Sequence, residues 1–269
     1  ALIIIIELAL YSVMRSIIKI TAARQTTPYP ELRASTINKH INQRLNVSSK
    51  QDYPSQMSHA FNILSSTLTS TLRSWKGTSS SKKSNQPKLD IILFDQEGCP
   101  ECRLVREALT ELNLNVVIAP CPMGGQNIRK LKQDSGSDQI PRLVDANSES
   151  NLIGSDVIVS YLFKEYRGNA APKRLQLNTF NKTASRIASL IRLNAGTKAK
   201  AARSAEKALT LYSFESSPYS RLVRELLCEL ELPYLLVNLG KQQWSDMGPA
   251  NLRFTFKPYQ PLKNTKRDA

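Results

Sequence analysis

Histidine and cysteine are scarce in this chain, two and four in 269 residues, and their scarcity narrows the chemistry first. Cys99 and Cys102 form one C-x-x-C, Cys121 stands alone, and Cys228 falls inside a helical pattern, so the chain lacks the disulfide framework of a small secreted domain. No second C-x-x-C and no paired histidine completes a zinc tetrad with Cys121, and His40 and His59 lie outside the segment that carries the thiols, so no metal is expected. There is no zinc-finger or RNP-like motif, and no nucleic-acid partner is expected. A long apolar run is missing too. Leu2 to Ile6 is uninterrupted, but Glu7, Arg15 and Lys19 follow, which is too short and too charged for a membrane span. The stretch also lacks the polarity order and small-residue cleavage site of a signal peptide. It reads either as the remnant of a truncated span or as translated sequence upstream of a start at Met57. The second reading is preferred, because the repeat described below begins just after that methionine.

What is present is enough for two domains of ordinary size, with 41% hydrophobic residues to build cores. The formal net charge of +15 is unevenly spread, concentrated in residues 164–207 and in the tail at Lys257, Lys263, Lys266 and Arg267. Such an excess either attracts anionic lipid or nucleic acid or belongs to a solvated linker, which is the expectation here. A lone C-x-x-C beside a βαβ pattern points to redox chemistry in a reducing, cytoplasmic setting.

The dominant feature is a repeat. Residues 93–114 return as 211–232; Cys99 falls on Ser217 and Cys102 on Ser220, an offset of 118, and Arg-Leu-Val-Arg-Glu is identical at 103–107 and 221–225. The scaffold is kept twice and the thiols once. The duplication extends upstream, where Phe61-Asn62 and Phe180-Asn181 open two segments ending at Gly77 and Gly196. Leu64, Leu68 and Leu72 form one helical stripe and Ile187, Leu190 and Ile191 another. Each unit reads as an amphipathic helix, a flexible tether (78–87 and 197–207) and an α/β domain. Each helix is expected to pack on its own domain, with a membrane-surface role as the minor alternative.

Apolar periodicity and turn residues trace the first unit as strand 90–94, helix 100–112, strand 116–119, short helix 127–133, strand 140–145, strand 152–153 and helix 156–166. That order predicts an α/β fold, an α+β sandwich of a four-stranded mixed sheet and helices. The second unit repeats only strand 209–213, helix 218–231 and strand 234–238. Its counterparts of Pro141 and Ser155 would fall near Pro258 or Pro261 and beyond Ala269, so this domain is expected to be cut short. The predicted division is therefore 1–57 undefined, 58–87 helix and tether, 88–168 first domain, 169–207 linker with a helix, and 208–269 a partial second domain.

Cys99-Pro100-Glu101-Cys102 sits where a strand ends and a helix begins. The helix dipole and unsatisfied N–H groups there favour thiolate over thiol, and Arg103 and Arg106 are expected to add positive charge. Cys102, one turn on, can resolve a mixed disulfide formed on Cys99. Pro100 suits the first helical turn. Ile140-Pro141 is a candidate cis peptide whose turn would expose the backbone of Ile140 to an extended ligand. Ser155-Asp156 opens the last helix, either as plain capping residues or as a seat for a ligand carboxylate.

Together, C-P-x-C at a helix start, I-P-x-L-V-D and S-D before a helix resemble the glutathione-binding thioredoxin-like domain of glutaredoxins and glutathione S-transferase N-terminal domains. The layout is similar to bacterial and plastid proteins with two such domains in tandem, matched here at 99–109 and 120–125 and covering about residue 58 onward. The resemblance implies that Cys99 is the nucleophile and Cys102 the resolving thiol. It also implies that Ile140 and Pro141 pair with the cysteinyl backbone of glutathione, with Pro100 beside them, and that Ser155 and Asp156 hold its γ-glutamyl end. Two departures stand out. Gly154 replaces the Glu or Gln usual in the family, which removes a γ-glutamyl contact, and no all-helical domain follows to build an electrophile pocket. The expected function is a glutathione-dependent thiol–disulfide oxidoreductase acting on a disulfide or glutathionylated substrate, with glutathione as co-substrate and only the first unit active. The alternative is a non-catalytic scaffold that binds glutathione or a protein.

Overall fold

In the computed structural model, the structure describes residues 56–246, apart from 82–83, 177–178, 193–194, 203–204, 206, 244–245 and the side chains of 56–59, 179–180 and 182. The expectations for residues 1–55, His40, the side chain of His59, Pro258, Pro261 and the basic tail lie outside the described residues.

The elements in chain order are α1 (Gln56–Leu72), β1 (Ile91–Asp95), α2 (Pro100–Glu111), β2 (Val116–Pro120), α3 (Gln126–Ser135), β3 (Arg142–Asp145), β4 (Ser150–Ile153), α4 (Ser155–Arg167), α5 (Thr179–Ile191), β5 (Leu209–Ser213), α6 (Pro218–Glu229) and β6 (Tyr234–Asn238). The first unit has the predicted order, with boundaries moved by one or two residues. Both strands of the second unit fall as predicted, and α6 stops two residues earlier than expected.

All six strands form one mixed sheet in the order β4-β3-β1-β2-β6-β5. β1 runs parallel to β2 and antiparallel to β3; β2 and β6 join the two copies antiparallel. The core lies between this sheet and its helices. Ile91 and Leu93 of β1 alternate inward to meet Val105, Ala108 and Leu109 of α2 and Ile158, Leu162 and Phe163 of α4, all buried. Gly168 closes α4 in the left-handed conformation, φ +69°, where a β-carbon would be strained.

The join explains the repeat. Val117 faces Leu235 at the centre of the β2–β6 register, and these two residues occupy the same position in their respective copies. A local two-fold axis passes between them. The upstream helices obey the same axis. Thr69 of α1 donates to the carbonyl of Ala188 in α5, its own counterpart, at 3.2 Å. Ser66 donates to Pro218 O at 2.9 Å and Ser185 to Pro100 O at 2.8 Å, so each leader helix rests on the other copy's repeated helix. The isolated bridges Ser79–Lys241 and Met123–Lys198 are again a symmetric pair. Each copy presents the same patch to the other, as in an isologous dimer built within one chain.

Three expectations change here. The leader helices do not pack their apolar stripes on their own domain. Leu64 and Leu68 are exposed, whereas Ser66, Thr69 and Ser70 are buried. The inward hydroxyls satisfy themselves on carbonyls one turn back, as Thr69 does on Ser65 O at 3.0 Å, and on the opposite copy, so they can be buried without a polar penalty. The tethers are pinned where they start, at 78–80 by Lys241 and at 197–199 by Met123. Arg103 and Arg106 do not flank the thiolate freely; both are buried in the joint between the copies.

Candidate functional site

Cys99 follows β1 through the loop 96–98 and caps α2 from an extended conformation, φ −73° and ψ 125°. Its Sγ accepts the N–H of Cys102 at 3.5 Å. Cys99 is half-buried and Cys102 is fully buried. The Cys99 pKa is lowered to about 7, chiefly by a hydrogen bond from the Cys102 thiol. The backbone N–H groups of Cys102 and Glu101 add to this, while burial and the Asp95 carboxylate oppose it. Burial, with the hydrogen bond and charge of Cys99, pushes Cys102 well above the ordinary thiol range. The pair therefore holds one thiolate-prone and one protonated sulfur. Cys121 and Cys228 are buried and free; burial raises Cys121 to about 12 and raises Cys228 as well, so both are inert thiols.

The arginines next to the motif belong to a charged joint. Arg106 binds Asp95 at 2.6 Å and Glu215 at 2.9 Å, and Arg224 binds Glu97 at 3.0 Å and Glu215 at 3.1 Å. Farther out, Arg73 pairs with Glu107 and Arg192 with Glu225, each at 2.6 Å and again related by the two-fold. Arg106 and Arg224 thus share Glu97 and Glu215, and Glu107 and Glu225 each hold the arginine at the end of a leader helix, while Asp95 of the first copy is replaced by Ser213 in the second. Hydrogen bonds, rather than these guanidiniums, lower the Cys99 pKa.

The predicted ligand-binding residues gather at the same end of the sheet. The Ile140–Pro141 peptide is cis. Arg142 opens β3 opposite Phe94 of β1, so Pro141 lies beside the end of β1 from which the Cys99 loop departs. Pro141 O accepts the N–H of Gly154 at 3.0 Å, which sets the cis turn against the tip of α4. No side chain caps that tip. Ser155 is fully buried and its Oγ has no hydrogen-bond partner; Asp156 is exposed. An uncapped helix start together with an orphaned hydroxyl fits a ligand carboxylate. Gly154 has φ +94°, a conformation in which a side chain would be strained.

Sequence reasoning missed the clamp over the Cys99 loop. Gln96 Nε2 donates to Thr197 O at 2.8 Å, Met123 N donates to the same oxygen at 2.7 Å, and Gly98 N reaches Gly196 O at 3.4 Å. The only available signal was the upstream extension of the repeat. In the second copy, Ser217 caps α6 by accepting Ser220 N at 3.3 Å, as Cys99 caps α2. Beside it, β5 is an edge strand, and among the described residues no proline-led strand takes the place of β3.

This is a thioredoxin-like α/β fold with a C-x-x-C at the head of its first helix. Residues 93–170, less than a third of the chain, match the family described as glutathione S-transferase, N-terminal domain. No curated protein and no solved structure matches. Among the described residues, no helix is long and apolar enough to cross a membrane.

Proposed function

We propose that the protein is a glutathione-dependent thiol–disulfide oxidoreductase working through Cys99 and Cys102. The observation that carries this reading is the division of labour between the thiols, one lowered to about 7 at a helix tip and the other held protonated one turn away. The Cys99 thiolate attacks one sulfur of a substrate disulfide. A Cys99–substrate S–S bond forms as the substrate's own S–S bond breaks, and its other sulfur leaves as a thiolate that takes up a proton. Cys102 then gives up its proton and attacks the Cys99 sulfur, which releases the remaining substrate thiol. The substrate gains two electrons from the Cys99–Cys102 pair and two protons, one given up by Cys102 and one from solvent, into which Cys99 had released its own on ionising. Two glutathione thiols are the reductant that restores the pair and leave as oxidised glutathione.

In this reading residues 88–168 form the redox domain and 208–269 a partial copy without thiols. The Ile140–Pro141 turn, beside Pro100, would receive the cysteinyl part of glutathione. Ser155, Asp156 and the free N–H groups of α4 would receive its γ-glutamyl end.

The test is turnover of a glutathionylated peptide and of a protein disulfide by wild type, Cys99→Ser and Cys102→Ser. Loss of both activities in Cys99→Ser is expected. Cys102→Ser should keep the first, with a second glutathione resolving the intermediate, and lose the second. Unchanged turnover in Cys99→Ser removes the assignment.

A further inference from the structure

Helices α1 and α5 lie antiparallel. Arg73 at the end of α1 donates to Asn181 O near the start of α5, and Arg192 after α5 donates to Asn62 O in α1. Their main contacts are with each other and with α6 and α2 rather than with the sheet. They form an outer layer whose inner side is small and hydroxylated and whose outer side is apolar. Leu64 is 70% exposed and Leu190 67%, and Phe61, Leu68, Leu72 and Ile187 are exposed with them. Phe61, Leu64, Leu68 and Leu72 recur at helical spacing and so share one face. The two-fold relates Leu68 to Ile187 and brings both stripes to the same side of the molecule. More than half of the exposed large hydrophobic residues among those described lie on this face, including Trp75 beyond the end of α1. Scattered exposed leucines need no explanation, but a contiguous ridge of them does.

The segments that carry the ridge have charge of one sign. Residues 56–89 and 168–205 together contain thirteen Lys and Arg and no Asp or Glu. Arg73 and Arg192 are neutralised internally by Glu107 and Glu225, and Arg174 and Lys200 pair with Glu111 and Glu229, whereas Arg186 is exposed one turn before Leu190. An apolar helical face that carries an exposed arginine, on segments whose own charges are all basic, is complementary to an anionic lipid interface. Neither helix is able to span a bilayer, so the contact is with the surface.

We infer that the α1–α5 face docks the protein on anionic membrane surfaces. Leu64, Leu68 and Leu190 enter the headgroup boundary, and Arg186 contacts the lipid phosphates. This assignment is independent of the redox reading, since it uses none of the residues around Cys99.

The experiment is flotation of the full chain with vesicles of phosphatidylcholine containing phosphatidylglycerol, compared with phosphatidylcholine alone, at low and high salt. Binding to the anionic vesicles that weakens with salt is expected. The triple variant Leu64→Gln, Leu68→Gln, Leu190→Gln should lower partitioning at least about tenfold, because it removes three side chains' worth of apolar insertion. Its circular dichroism and thermal midpoint should stay unchanged, since those side chains are exposed. Arg186→Glu should weaken binding to anionic vesicles alone. Absence of flotation by the wild type, or equal flotation by the triple variant, overturns the assignment and leaves any binding to other parts of the chain. Sedimentation gives a further overturning outcome: self-association without lipid that the triple variant abolishes would make the face a contact between copies.

Discussion

Arg106 and Glu215 belong to different copies of the repeat and form an ion pair at 2.9 Å, with side chains 1% and 2% exposed. Arg224 and Glu97 make the symmetric pair at 3.0 Å, equally buried. Burial of this kind is costly for each charge alone and tolerable only while every partner is in place. The two copies are therefore held together by charge pairing as well as by the β2–β6 ladder, and the joint includes Arg106 of α2, the helix that Cys99 caps.

Glu215→Gln leaves Arg106 and Arg224 short of one carboxylate in a dry environment, and the expected loss is about 3–5 kcal/mol. Urea denaturation measures it, with Lys132→Ala as the control. The Lys132–Asp138 pair is solvent-exposed, so its loss should leave the midpoint where it is. A change of similar size in both variants would mean that the joint does not carry the stability. The arginines hold the Glu215 pKa down to about 2, below its unfolded value, despite burial. Its contribution is therefore present at neutral pH and lost as pH falls through the range from about 4.5 to 2.

The thiol pair gives a second test. The largest cause lowering the Cys99 pKa is the hydrogen bond from Cys102, so Cys102→Ala should move Cys99 back toward the ordinary thiol range. Iodoacetamide labelling of wild type should rise with pH through a midpoint near 7. In the variant the midpoint shifts upward and labelling at neutral pH falls several-fold. An unmoved midpoint would assign the lowering to the helix tip alone.

The clamp over the Cys99 loop is open to a steric test. A β-carbon on Gly98 would sit 2.2 Å from Thr197 Cγ2 and 3.0 Å from Ala195 O, so Gly98→Ala must displace the 195–197 turn. The expected cost is about 1–3 kcal/mol. Adding Thr197→Ser removes the methyl group at the closest contact and should restore part of it. Full additivity of the two substitutions would show that the turn does not press on the loop.

The α/β order of the first copy, the cis turn and the head of α2 were legible because each has a local cause: alternation, proline chemistry or a capping position. The orientation of α1 was not. Periodicity identifies the stripe that is apolar, at Leu64, Leu68 and Leu72, but not the surface that lies opposite. Serines and threonines that bond to carbonyls one turn back lose the penalty that would have kept them outside. Arg103 and Arg106 were misplaced for a related reason. Their neighbours in sequence are the thiols, but their neighbours in space are Glu97 and Glu215, and the join between β2 and β6 that brings Glu215 there leaves no local trace. The one legible hint was the identity of 103–107 with 221–225, which a symmetric interface requires and a mere tandem array does not.

Ser155 separates binding from folding. Its hydroxyl is buried without a partner, so Ser155→Ala removes an unsatisfied polar group and should change stability by less than about 0.5 kcal/mol, or raise it slightly. If the hydroxyl waits for a carboxylate at the α4 tip, the same substitution should raise the KM for glutathione several-fold and leave the rate at saturating glutathione unchanged. A purely structural serine gives the opposite pattern, with a lower melting temperature and an unaltered KM. Thermal unfolding and glutathione-dependence of turnover on a single variant therefore distinguish a ligand seat from a packing residue. An unaltered KM with unaltered stability would free Ser155 from both roles and move the γ-glutamyl end of the ligand away from α4.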